Sequence, residues 1–219
     1  HNAEINLQTS DAFTALMCAA ALNHPAVVRR LLRAGADVAL RSEAGKSALQ
    51  YAKEKGDSAC VEAFRKHLAD AVAGRREATA VGGAGAGGSS GGLEVPDEVV
   101  LAAERGDEAE VLAWLHGGGR ADATYERGEA SGVTLLITAV SHGHERVAEL
   151  LLWRGAEINL QTSIGGTALM LAAFYGYERV VDLLFRHGAE ANMQDSDGVT
   201  ALMGAAIQGH ERVVELLCR

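Results

Sequence analysis

The tetrapeptide Thr167-Ala168-Leu169-Met170 returns 33 positions later as Thr200-Ala201-Leu202-Met203, and Thr134-Leu135-Leu136 stands 33 positions before it. Thr14-Ala15-Leu16-Met17 and Ser47-Ala48-Leu49 form a second set with the same spacing. In the central copy an apolar helix runs on through Leu171-Ala172-Ala173 and closes at Gly176. A second helix follows from Glu178 to Leu184, and the turn Gly188-Ala189-Glu190 ends the unit. A single helix pair cannot bury its own apolar side, so units repeated at a fixed period must stack on one another. The spacing therefore predicts an all-α chain, a solenoid of paired antiparallel helices joined by short β-hairpin-like turns.

Composition suits thin, closely packed helices. Of the 219 residues 48% are hydrophobic but only 5% are aromatic, which leaves Ala, Leu and Val to fill the core. A net charge of −9 argues against nucleic acid or membrane as a partner, because both need basic surface. No apolar run approaches the roughly 18 residues of a membrane span. His1-Asn2-Ala3-Glu4 has no signal-peptide character. Cys18, Cys60 and Cys218 show no CxxC spacing, so reduced thiols are expected rather than a disulfide framework or a zinc site. No metal, cofactor or catalytic set is expected, since repeats duplicate residues instead of converging different ones. The expected location is intracellular, in the cytoplasm or nucleus.

Three blocks follow from the order of the units. Residues 1–72 hold a turn and two units; Glu4 to Ser10 is identical to Glu157 to Ser163, which follows a second helix. The last second helix of this block is expected from about Ala59 to Leu68, and Lys53, Glu54 and Lys55 give its unit the polar surface of a capping repeat. Residues 73–92 read as a Gly/Ser-rich linker. Its glycine spacings mimic a phosphate-binding loop, but no strand precedes them and no Lys-Ser/Thr pair follows. Residues 93–219 open with Pro96-Asp97-Glu98, whose acidic groups favour a helix N-terminus. A second helix carrying Val111, Leu112, Trp114 and Leu115 completes a cap pair. About four extra residues within 125–132 precede the three regular units. Pro25 and Pro96 each stand where a helix would begin.

The two ends of the chain complement each other. Leu217-Cys218-Arg219 finishes a second helix without a turn, and His1 to Asn6 supplies such a turn without a helix. Counted from Thr200 through Arg219 and on from His1, Thr14 lies 33 positions along, so the period crosses the break unchanged. Two readings compete: a natural chain with two repeat blocks, and a circular permutant whose former termini the linker joins. The cap-like units on either side of the linker favour the permutant, which points to engineering for folding, topology or assembly. Six helix layers place the ends to be linked roughly 50 Å apart. About 23 linker residues reach ~75 Å fully extended and relax to ~26 Å. Closure within one chain is therefore stretched, and a domain-swapped homodimer through the 219/1 seam competes with it.

The unit resembles the ankyrin repeat everywhere except in the linker. The pattern stands as Asp195-Ser196-Asp197-Gly198-Val199-Thr200-Ala201-Leu202, Ala205-Ala206, Gly209-His210, Val213-Val214 and Leu216-Leu217. Its Gly-Ala-Asp turn is Gly35-Ala36-Asp37. The Pro that follows Thr in the family is Ala at Ala15, Ala48, Ala168 and Ala201, and the His two places further is Met at Met17, Met170 and Met203. Ala and Met are compatible with the same helix and core.

The resemblance implies a non-enzymatic scaffold that binds a protein partner on a concave face made of hairpin tips and first helices. Carried over, that face includes Phe13, Ile164, Asp197 and Val199 at the tips, and Leu22, His142, Phe174, Tyr175, Ile207 and Gln208 on the first helices. His24, His144 and His210 recur at the head of second helices and read as hydrogen-bonded turn residues. Trp114 is expected in the core and Trp153 partly exposed. The pairs Glu145-Arg146, Glu178-Arg179 and Glu211-Arg212 read as a solvated face. The alternative to an engineered permutant is a natural intracellular adaptor with two repeat blocks.

Overall fold

Every first helix of a regular unit starts where a hydroxyl replaces a missing backbone partner. The side chains of Thr14, Thr134, Thr167 and Thr200 accept from the N–H three residues on, at Met17, Ile137, Met170 and Met203. Ser47 does the same for Gln50, whose side chain returns the bond to the Ser47 N–H at 2.8 Å. The four threonines are buried and Ser47 is partly exposed, and the apolar residues after all five turn inward together.

The computed structural model describes residues 3–73, 95–128 and 130–219, and the side chains of all of these except 68–73. The linker predicted over 73–92 lies, but for Ala73, outside the described residues. Twelve helices lie among the described residues. Chain order gives α1 (Ala15–Ala21), α2 (Pro25–Arg33), α3 (Ala48–Glu54), α4 (Ser58–Ala73), α5 (Asp97–Arg105) and α6 (Glu108–His116). Strands β1 (Thr124–Arg127) and β2 (Ala130–Thr134) follow, then α7 (Leu135–Ser141), α8 (Glu145–Trp153), α9 (Ala168–Tyr175), α10 (Glu178–Arg186), α11 (Ala201–Gln208) and α12 (Glu211–Leu217).

The helices form two parallel rows. First helices stack in the order α5, α7, α9, α11, α1, α3, and second helices in the order α6, α8, α10, α12, α2, α4. One apolar core runs through the stack, from Val99 and Ala103 past Leu136, Leu169, Leu184 and Leu202 to Leu16, Leu31 and Phe64. It is built from Ala, Val and Leu, as the low aromatic content requires.

The step from α11 and α12 to α1 and α2 joins opposite ends of the sequence within one chain. Ala3 N–H donates to the Leu217 carbonyl at 3.0 Å. Glu4 N–H donates to Asn192 Oδ1 at 2.6 Å, just as Glu190 N–H donates to Asn159 and Asp37 N–H to Asn6. Counted through Arg219 and on from His1, Asn192 to Glu4 spans the same 31 positions as those two pairs. A glutamine ladder crosses the same place, with Gln161, Gln194 and Gln8 each donating to the backbone carbonyl 33 positions along, at Gln194, Gln8 and Arg41. Arg30 of α2 completes the junction, 3.0 Å from Glu211 and 3.4 Å from Glu215 of α12. Glu211 is therefore engaged across the seam and not merely solvated, because α2 brings a cation to it that adjacent sequence did not reveal.

Two further expectations change. Helix α4 runs to Ala73 instead of stopping near Leu68, since Leu68 and three alanines favour helix there and no glycine or proline interrupts it. Trp114 is only half-buried; its ring folds over the turn at Gly119, where a Cβ would sit 2.4 Å from it. Both prolines stand at helix starts as expected, Pro96 just before α5 with extended backbone and Pro25 in the first turn of α2. The extra residues within 125–132 form a two-stranded antiparallel hairpin with a bulge between Tyr125 and Arg127. Arg127 reaches back to Glu104 of α5, and the Tyr125 hydroxyl bonds to Thr138 Oγ1.

Candidate partner-binding face

The last residues of the first helices form one row, and the hairpin tips form a second row beside it. The tips are tied to one another by backbone bonds. Ser163 donates to Ser131, Ser196 to Ile164, Ser10 to Asp197 and Glu43 to Asp11, at 2.8 to 3.1 Å. Ile164 and Asp197 thus have fixed backbones and free side chains; Ile164 is 58% exposed. Val199 is half-buried, held between Asp195 Oδ1 at its N–H and the Asp195 N–H at its carbonyl.

Histidines set the ends of the first helices. His210 Nε2 lies 3.0 Å from the Phe174 carbonyl, His24 Nε2 2.8 Å from the Ile207 carbonyl, and His144 Nε2 2.7 Å from the Glu104 carbonyl. Each ring sits against the glycine after the helix: Gly176, Gly209 and Gly106 leave 2.6 Å between a notional Cβ and the imidazole. Their backbones are left-handed as well, so no other residue fits without strain. The expected role of these histidines as bonded turn residues holds.

Tyr177 stands where three other units carry histidine, at His144, His210 and His24, while the last unit carries Asp57; the sequence reading did not single Tyr177 out. Its ring stacks on Tyr175 at 5.8 Å between centroids, and Phe174 meets Tyr175 edge-on at 5.4 Å. The replacement of that histidine by an aromatic residue was the available signal. Phe174 and Tyr175 remain 37% and 48% exposed, so the aromatic group faces solvent at the middle of the row. Leu22, Gln208 and His142 are exposed beside it, and Ile207 is half-buried. His142 stacks on His144 and bonds the Thr138 carbonyl through Nδ1. Phe13 is drawn partly inward, its ring 5.1 Å from that of Tyr51. The row is therefore not uniform: Phe13 and Val199 serve packing as much as exposure.

Trp153 is exposed as expected, meeting His187 edge-on on the second-helix side. Leu101 of α5 is a further exposed apolar residue that the sequence reading passed over. All three thiols are free. Burial pushes Cys18 and Cys218 up to about 11; for Cys60, burial and the nearby Asp57 push it up to about 12. Glu215, bonded by Arg219 and flanked by Arg30 and Arg212, is held below the usual carboxylate range.

Among the described residues no group of three or more His, Cys, Asp or Glu side chains is placed to hold a metal ion, and no helix is long and apolar enough to cross a membrane. Stacked helix pairs with projecting hairpins define a repeat solenoid whose exposed rows suit protein recognition. The profile described as Ankyrin repeats (3 copies) matches residues 1–73, 99–195 and 136–219, and the chain belongs to that family. No individual curated protein matches it. Ankyrin repeats mediate protein–protein interactions, and proteins built from them are generally binding scaffolds without enzymatic activity.

Proposed function

We propose that this chain is a non-enzymatic, protein-binding ankyrin scaffold whose array is circularly permuted by design. Its recognition face consists of Ile164, Asp197, Leu22, His142, Phe174, Tyr175, Ile207 and Gln208, with Phe13 and Val199 at its margin. The observation that carries the permutation is the ladder through the seam: Asn192 to Glu4 and Gln194 to Gln8 repeat the spacing found inside the array. Two independent repeat blocks would have no reason to keep that phase, so the adaptor reading is the weaker one. Residues 1–72 then form the C-terminal part of the array and 93–219 its N-terminal part, joined by the linker at 73–92. Because the seam is a surface between two parts of one chain, a second copy can supply the same surface, giving a swapped homodimer at high concentration.

One experiment tests both halves of this reading. The chain is rejoined from Arg219 to His1 and reopened between residues 86 and 87, and both orders are prepared with and without Phe174→Ser and Tyr175→Ser. The rejoined chain is expected to unfold at higher denaturant and to scatter as a monomer at every concentration. Equal stability and equal mass in the two orders would refute the permutation. Both orders should capture the same protein partner and lose it with the serine substitutions; unchanged capture would refute the face.

A further inference from the structure

Two second helices of this array carry an acid–base pair on their outer surface. In α10 Asp182 pairs with Arg186 at 3.2 Å, and in α12 Glu215 pairs with Arg219 at 3.1 Å, each four residues apart. The equivalent positions of α2, 33 further along through the seam, are Arg29 and Arg33. Two like charges four residues apart on a helix repel each other. Neither guanidinium has an ion-pair partner among the described residues, although Arg30 between them has two. The dipole at the helix C-terminus favours Arg33 but gives no reason for Arg29, which lies a turn earlier.

Helix α4 adds to this cluster. Lys66 and His67 line the same cleft as Arg29 and Arg33, with Leu32 and Ala63 as its buried floor. Of the acidic groups described on α4 and at its head, Glu62, one turn before Lys66, pairs with Arg65, and Asp57 accepts from the Ala59 N–H. The cleft measures about 70 Å³. A single water needs about 10–15 Å³ of such space, so the cleft has room for a small tetrahedral oxyanion. In a protein of net charge −9, three cations without an ion pair among the described residues and a histidine around one apolar-floored cleft favour an anion.

We propose that the cleft between α2 and α4 is a binding site for a phosphate group, held by the guanidinium forks of Arg29 and Arg33 and the ammonium of Lys66. Arginine matches phosphate through paired N–H donors, and lysine adds a point charge. The site lies on the second-helix side of the stack, away from the aromatic row, so phosphate and protein partner need not compete. The phosphate arrives either on a soluble molecule or on a lipid headgroup.

The test is a titration of the full chain with pyrophosphate, against sodium chloride at matched ionic strength, following the side-chain Nε–H resonances of Arg29 and Arg33. A parallel arm sediments phosphatidylcholine vesicles with and without a phosphoinositide. Arg29→Glu restores the acid–base pair found in α12, so this variant is expected to melt no lower than the parent. Its affinity is nevertheless expected to fall at least about tenfold, a difference well within reach of the titration. Saturable pyrophosphate binding without sedimentation assigns a soluble ligand; sedimentation with the phosphoinositide alone assigns the headgroup; both must weaken in Arg29→Glu. Absence of saturation in both arms, or equal binding by Arg29→Glu, overturns the site. Arg33→Gln, which removes one fork without adding charge, separates loss of contact from repulsion and should weaken binding as well.

Discussion

Gly209→Ala should split this protein at its seam. The residue ends α11 in a left-handed backbone at φ +78, where a side chain costs about 1–2 kcal/mol. The new methyl would also lie 2.6 Å from His24 Nδ1, forcing the ring to move and break its bond to the Ile207 carbonyl. That lost bond adds about 1 kcal/mol. The combined loss, about 2–3 kcal/mol, corresponds to roughly 5–10 °C in melting temperature for a domain of this size. Its position matters more than its size, because His24 belongs to residues 3–67 and Gly209 to residues 95–219. In a nearest-neighbour array a weakened interface separates the blocks on either side. Trp114 in α6 and Trp153 in α8 both lie in the far block, so tryptophan fluorescence reports only that block, whereas circular dichroism reports every helix. Urea unfolding of Gly209→Ala is expected to show helix loss before the tryptophan fluorescence change. Gly176→Ala is the control: it has the same backbone, φ +77, and the same 2.6 Å approach, to His210, but inside a continuous block. It should weaken the protein without separating the two signals. Coincident, unshifted transitions in Gly209→Ala would refute the argument that His24 and Gly209 hold the seam.

Ala12 occupies a left-handed backbone at φ +59, where the equivalent hairpin positions are Gly45, Gly165 and Gly198. Ala12→Gly should raise stability by up to ~1 kcal/mol, the relief of strain exceeding the added freedom of the unfolded chain; a lower urea midpoint would contradict this. The thiols give a pH dependence: all three are raised from 9.0 in the folded protein, to about 11 or about 12. Their contribution is thus complete below pH 9.0 and is lost as pH rises through the folded values. The parent should lose stability faster than a Cys18→Ala, Cys60→Ala, Cys218→Ala variant between pH 9 and 11, and parallel curves would show that the thiols play no part.

The 33-residue period was legible because it is a local property: a Thr cap, an apolar run, a glycine and a second helix recur at one spacing. That alone determined the class of fold, the helix pairs and the phase across the chain ends. The family resemblance also placed Phe174, Tyr175, Ile164 and Leu22 at exposed ends and tips, since a residue's position within the unit decides its side of the stack. Contacts between units were another matter. That Tyr177 stacks on Tyr175, that Phe13 turns toward Tyr51, and that Arg30 reaches Glu211 and Glu215 depend on side chains meeting across layers, which spacing along one helix does not specify. The Arg29–Arg33 repulsion was written in the sequence, yet it acquired meaning only when α4 brought Lys66 and His67 to the same cleft. The order of the layers was the last thing to be decided in space. Sequence determined that residues 3–67 keep step with residues 95–219, but only burial of α1 against α11 and α2 against α12 made the two parts a single array.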